Sequence, residues 1–286
     1  MTRQTSLPAI TLCADDYGLA PGVSHAIRAL IAQGRLQATG CMTGSAHWPE
    51  AARLLKPLDG MAHMGIHLTL TDHTPLGAMP HLAPSGRLPP IAELVKRSVT
   101  GRLARPKIAA EIAAEFERQF DAFEAHFGRA PDFLDGHHHI HQLPVIGEVT
   151  LDLWRRRCPN AWVRSCVEPA WAIAARRIDP VRALIISTLG WGFRRRLVAE
   201  GVPHNTSFRG VYDFSGRVPF GELFRRFTDA PGPRALMMVH PGVVDDALRA
   251  ADSLTGQREV EFAFLRSEEC ALSLARRGLS LKRLFP

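Results

Sequence analysis

Apolar and polar positions along the chain follow two periods, and the switches between them mark its elements. Ala9 to Ala14 is a short apolar run, read as a buried strand, that leads into Asp15-Asp16-Tyr17-Gly18. Pro21 then opens a helical pattern with Val23, Ile27, Leu30 and Ile31 on one face, ending at Gly34. Gln37 to Met42 and Met61 to Ile66 read as strands, with a helix around Pro49 to Leu55 between them. A proline-rich loop from Asp72 to Pro90 precedes the clearest helix, Pro106 to Phe127, where Ile108, Ile112, Phe116, Phe120 and Phe123 form one stripe. Further on, Phe133-Leu134 is strand-like, Val145 to Arg157 is helical, and Ala161-Trp162-Val163 is a short strand. Ala235 to Val239 is a plain buried strand, and one long helix is predicted over Arg258 to Arg277.

Strands alternating with helices imply βα units and a mostly parallel sheet. A single α/β barrel accommodates 286 residues, as does an open doubly wound sheet. In this reading Asp15-Asp16, His67, His137, Arg164 and His240 each stand just past the carboxyl end of a predicted strand. Both architectures bind their ligands at that rim.

The densest chemistry lies between Pro131 and Pro144, where four of the thirteen histidines fall within five positions behind Asp135. If this stretch is extended, Asp135, His137, His139 and His141 share one face, while His138 and Ile140 point the other way. Imidazoles beside a carboxylate suit a divalent cation and the groups that orient its ligands. A surface histidine-rich loop is the bland alternative; a tag remnant would sit at a terminus. Asp15-Asp16 reads either as a helix cap ahead of Pro21 or as two carboxylates that divide labour, one a ligand and the other a base. Asp16, His67 and His137 together make a two-histidine, one-carboxylate set, which leaves coordination positions open for water and substrate. Arg164 reads either as a partner that keeps Asp15 ionised or as a surface arginine.

The motifs Ala14-Asp15-Asp16-Tyr17-Gly18, Gly65-Ile66-His67-Leu68-Thr69-Leu70-Thr71, Asp135-Gly136-His137-His138-His139-Ile140-His141 and His240-Pro241-Gly242 closely resemble those of the YdjC-like carbohydrate deacetylases. That family includes diacetylchitobiose deacetylases and a hopanoid-biosynthesis-associated branch. The resemblance runs from about Thr11 to Arg164, thins through 167–205, and resumes at Gly210-Val211-Tyr212-Asp213-Phe214 and His240. It implies a single domain with a distorted, TIM-barrel-like (β/α) barrel, one divalent cation, and removal of acetyl from N-acetylated amino sugars or glycoconjugates. By the same resemblance Asp16, His67 and His137 are the expected metal ligands, Asp15 the base and His240 the acid. Asp135, His139, His141 and Arg164 are assigned to contacts around the ligands or substrate. Oxygen and nitrogen donors without thiolate fit Mg, Mn, Fe or Zn, with Mg or Zn expected. Hydrolysis of another amide or ester, or a silent metal- or glycan-binding role, are the alternatives; the latter needs neither Asp15 nor His240. The remaining histidines, His73 among them, are expected in solvent or in packing.

Composition changes this picture little. The net charge of +7 rests on arginine pairs and triples with only four lysines, and no nucleic-acid-binding motif accompanies them. Solvated helix faces explain them, so no nucleic-acid partner is expected. Five cysteines without a Cys-x-x-Cys spacing argue for a reducing compartment, and Met1 to Pro8 lacks an apolar secretory region, so a cytoplasmic location is expected. The stretch 167–209 is the hardest to read. Val181, Ile185, Leu189 and Phe193 form a helical stripe interrupted by Gly190 and Gly192 and followed by Arg194 to Arg196. It is either a barrel helix packed on the sheet or a lid making transient membrane-surface contact. A homodimer is also allowed.

Overall fold

In the computed structural model, which describes residues 8–286, the first strand, β1 (Ala9–Tyr17), is central. The polar amino-terminal stretch, apart from Pro8, lies outside the described residues. The other strands are β2 (Ala38–Cys41), β3 (His63–Leu68), β4 (Phe133–Gly136), β5 (Trp162–Val163), β6 (Ser207–Arg209), β7 (Ala235–Val239) and β8 (Ser280–Leu281). They pair in parallel in the order β5-β4-β3-β2-β1-β7-β6, with β8 joined to the start of β1. The two ends of this seven-stranded arc meet at a bridge between Val163 and His204. Asn205 reinforces the junction, accepting from Ser165 N and donating to Ser165 O. The result is the distorted, TIM-barrel-like single domain that the family resemblance implied.

Inside the arc, Cys13, Ala38, Phe133, Trp162, Phe208, Leu236 and Met238 form a core of their own, apart from the larger one under the helices. Side chains repeat every second residue along a strand. Two positions on from Cys13, Ala38, Phe133, Trp162 and Met238 stand Asp15, Gly40, Asp135, Arg164 and His240. The polar groups therefore form the layer above an apolar plug, at the carboxyl rim. Gly65 belongs to the same phase: a Cβ there would lie 2.4 Å from the Phe133 ring, which stacks on Trp162.

Most helices fall where the apolar spacing predicts them, including Pro21–Ala32, Pro106–Phe127 and Ile146–Arg157. The final helix is a correction. It is two helices, Gly256–Leu265 and Glu268–Ala275, broken where the Ser267 hydroxyl caps the second by accepting from Cys270 N. Between 167 and 209 lie two more, Ala170–Arg176 and Pro180–Ala199. The expected stripe is only half inward: Val181 and Ile185 are exposed, while Leu189 and Phe193 pack on the core beside Ser187, Gly190 and Leu197.

Candidate metal centre

The site begins at a fault in β1. Its pairing with β2 slips between Ala14 and Tyr17, and Asp16 sits at φ 67° in the left-handed region. In a regular strand Asp15 and Asp16 would face opposite sides. The bulge re-aims Asp16, at a strain on the order of 1–3 kcal/mol, so that both carboxylates are buried at the rim. Neither caps the helix beginning at Pro21, whose cap position, Ala20, makes no side-chain bond.

Asp16, His67 and His137 converge, each offering a donor atom within 4.8 Å of the others. Asp16 Oδ1 lies 2.9 Å from His137 Nδ1 and 3.4 Å from His67 Nε2. His67 Nδ1 is held by Asp135 Oδ1 at 2.6 Å, which leaves Nε2 aimed at Asp16. A carboxylate on the far nitrogen is the common way to orient a ligating imidazole. Gly40 makes room for this pair, since a Cβ there would stand 2.8 Å from His67 Nδ1 and 3.1 Å from Asp135 Oδ1.

Arg164, fully buried, organises the neighbouring half of the site. Nη1 and Nη2 donate to the two oxygens of Asp15 at 2.8 and 2.6 Å, and Nη2 also approaches Cys13 Sγ at 3.0 Å. Asp135 Oδ2 lies 2.6 Å from Nη2 without an aligned N–H, an ion pair rather than a hydrogen bond. Cys13, Asp15 and Asp135 also cluster closely enough to gather a metal, but this guanidinium already stands among them. Burial alone would raise the Asp15 carboxyl, yet Arg164 and then His67 hold it well below the usual carboxylate range. Arg164 is thus the partner of Asp15, not a surface residue.

The histidine run departs from the extended reading. After Gly136 it turns through a 3₁₀ segment, His137–Gln142, with His138 and His139 both left-handed at φ 53° and 60°. Alternation fails there, and the three histidines expected on one face part company. His137 stays with Asp16. His139 places its ring edge-on to Phe208, with centroids 5.3 Å apart. His141, fully buried, bonds the Arg164 carbonyl through Nε2 at 2.9 Å. The exposed His138 bonds Thr71 Oγ1 at 2.9 Å.

Two participants went unseen in the sequence, both on helix Gly256–Leu265. Arg258 is 1% exposed and donates from Nη2 to Asp16 Oδ2 at 2.6 Å, and also to Asp252. Glu261, buried, accepts from the His240 backbone N–H at 2.6 Å and from the Tyr212 hydroxyl at 2.5 Å. Burial raises its carboxyl to about 7, against the pull of those two donors. Neither residue carries a local signal; only Tyr212, within the motif at Gly210 to Phe214, hinted at this corner. His240 itself presents its ring to the edge of Phe214. Burial pushes its imidazole down to about 4 despite the Asp16 and Asp15 charges.

Three buried carboxylates (Asp15, Asp16 and Asp135) thus face two buried guanidiniums, an excess of one negative charge around His67. Burial disfavours the His67 imidazolium, but Asp135 and Asp15, followed by the bonds to Asp135 and Asp16, hold its pKa at about 10. A site that demands positive charge and offers one carboxylate oxygen with two imidazole nitrogens fits a divalent cation. Beside it opens a cleft of about 490 Å³, lined by Leu19, Met42, Thr69, His73 and Leu76 among others. His73, expected only in packing or solvent, joins cleft to centre, with its ring centroid 5.6 Å from that of His137. Glu115 anchors the cleft wall by accepting from Leu76 N and Gly77 N.

The fold and site define an α/β barrel protein with a candidate metal centre at its carboxyl rim. The chain belongs to the YdjC-like protein family, whose model matches residues 9–276. It is 29% identical over 272 residues to the chitooligosaccharide deacetylase of Enterobacter sp. (strain 638), covering 94% of each chain. It is 27% identical over 269 residues to the carbohydrate deacetylase of Geobacillus stearothermophilus, covering 94% of this chain and 93% of that one. A crystal structure from Enterococcus faecalis V583, provisionally described as a cellobiose-phosphate cleavage protein, shares the fold at a TM-score of 0.71 with 21% identity, over 98% of both chains.

Proposed function

We propose that the chain is a metal-dependent carbohydrate deacetylase that hydrolyses the acetamide of an N-acetylated amino sugar. The observation that carries this reading is the pairing of a His–His–Asp donor set with a second carboxylate, Asp15, kept ionised by Arg164. The relatives named as chitooligosaccharide and carbohydrate deacetylases support the substrate class. Asp16, His67 and His137 would hold one divalent cation, Mg or Zn. When bound, the cation would supply Lewis acidity toward an acetamide carbonyl and a water.

The chain's own groups do the rest. Asp15 accepts the proton of the attacking water, and its ion pair with Arg164 keeps it available as a carboxylate. Asp135 fixes the tautomer and direction of His67. Arg258 holds the second oxygen of Asp16, so that Oδ1 is the one turned toward both histidines. His240, whose imidazole burial pushes down to about 4, takes up the proton that Asp15 removed from the water and passes it to the departing amine. The cleft beside His73 receives the sugar. Five cysteines, all free and buried, support a cytoplasmic location.

The test strips the protein with a chelator, restores Mg, Mn or Zn singly, and measures acetate and free amine released from chitooligosaccharides. Activity should vanish on stripping and return with at least one cation. Asp15→Asn and His240→Ala should bind the cation yet turn over at least about 10²-fold more slowly. Undiminished acetate release from stripped protein, or normal cation binding by an Asp16→Ala/His67→Ala/His137→Ala variant, would overturn the reading.

A further inference from the structure

Helix Pro180–Ala199 is apolar on two opposite faces. The inner face packs on the histidine turn: Gln142 Nε2 donates to Ile186 O at 3.0 Å, and Phe193 meets the ring of His141 edge-on. Gly190 allows the approach, since a Cβ there would lie 2.2 Å from Gln142 Oε1. At 100° per residue, positions 181, 184, 185, 188, 191, 195 and 198 share the outer face. Val181, Leu184, Ile185, Trp191 and Val198 on that face are 69%, 42%, 55%, 52% and 63% exposed. Trp171, on the preceding helix, is 77% exposed. Of the twelve exposed large hydrophobic side chains among the described residues, these make up half, within fewer than thirty positions. Scattered singly they would mean nothing; five of the six share one helix face, and that marks an interaction surface.

Charge decides what covers it. Between 170 and 199 there are six arginines and a single acidic residue, Asp179. Arg195 stands within the apolar stripe and Arg177 at the turn between the two helices; neither makes an ion pair among the described residues. A second copy docked through this face would set like charges against each other, because a two-fold interface opposes a patch to itself. Exposed tryptophans with arginines on an in-plane helix match the interface of an anionic bilayer instead. No helix among the described residues is long and apolar enough to cross a membrane, so contact would be superficial.

We infer that Trp171 and the outer face of helix Pro180–Ala199 form a docking surface for an anionic lipid bilayer. The docked helix would hold the carboxyl rim about 10 Å, one helix diameter, from the lipid. The inference stands apart from the deacetylase reading, because binding needs no turnover.

The test is co-sedimentation of the full chain with vesicles of phosphatidylcholine alone and of phosphatidylcholine mixed with phosphatidylserine. The wild type should sediment with the anionic vesicles at least about tenfold more than with the neutral ones, and less so as salt is raised. Trp171→Ser/Ile185→Ser/Trp191→Ser and Arg177→Gln/Arg195→Gln should each lose most of that binding. Circular dichroism and acetate release from soluble chitooligosaccharides should stay as in the wild type. Absence of wild-type binding to anionic vesicles, or unchanged binding by both variants, would overturn the inference. So would a solution dimer that the same substitutions dissociate, which would assign the face to a second copy.

Discussion

Replacing Arg164 by methionine tests the electrostatic frame of the site directly. The guanidinium is fully buried, bonds both oxygens of Asp15 at 2.6 and 2.8 Å, and pairs with Asp135 at 2.6 Å. Methionine fills much of the volume and removes the charge, leaving Asp15 without its cation and Asp135 with His67 alone. Breaking a buried pair from one side costs about 3–5 kcal/mol, because the stranded carboxylate gains no water in exchange for the lost partner. Arg164→Met should therefore lower the urea midpoint by that free energy divided by the slope, with the slope itself unchanged. Acetate release should fall at least about 10²-fold as Asp15 loses its ionised form. Adding Asp15→Asn to the methionine variant removes one of the stranded charges and should restore about 1–3 kcal/mol, while activity stays lost. Asp15→Asn alone should cost less than Arg164→Met, since Arg164 keeps Asp135. Stability of Arg164→Met within about 0.5 kcal/mol of the wild type, or strictly additive effects in the double variant, would refute the reasoning.

Two other outcomes follow from the geometry. Gly40→Ala places a Cβ against His67 and Asp135 and should weaken divalent-cation affinity by about 10- to 100-fold, measured by calorimetry, while leaving the chain folded. Glu261 has its carboxyl raised to about 7, above an unfolded value of about 4.3. Its contribution to stability is therefore fully present below about pH 4 and lost as pH rises through 7. Thermal unfolding of Glu261→Gln across this window should show a flatter pH dependence than the wild type; parallel curves would count against the raised carboxyl.

Local pattern determined much of this protein. Short apolar runs leading into Asp15-Asp16, His67, His137, Arg164 and His240 specified both the strands and the rim, because a buried strand and its polar end are legible within a few residues. The 3.6 spacing from Pro106 to Phe127 likewise marked a helix that the structure reproduces. The motifs placed the chain in its family before any coordinates.

Tertiary structure decided the rest. The bulge at Asp16 and the left-handed His138-His139 pair override local alternation; at Asp16, buried bonds to His137 and Arg258 outweigh the strain. Val181 and Ile185 kept the spacing of a core stripe yet face outward, because the inner side of their helix had to fit Gln142 through Gly190. Arg258 lies 242 positions from Asp16, and nothing local in its helix signals its burial. Side-chain spacing encodes which way a residue faces; which charge compensates a buried carboxylate is a property of desolvated groups brought together only by folding.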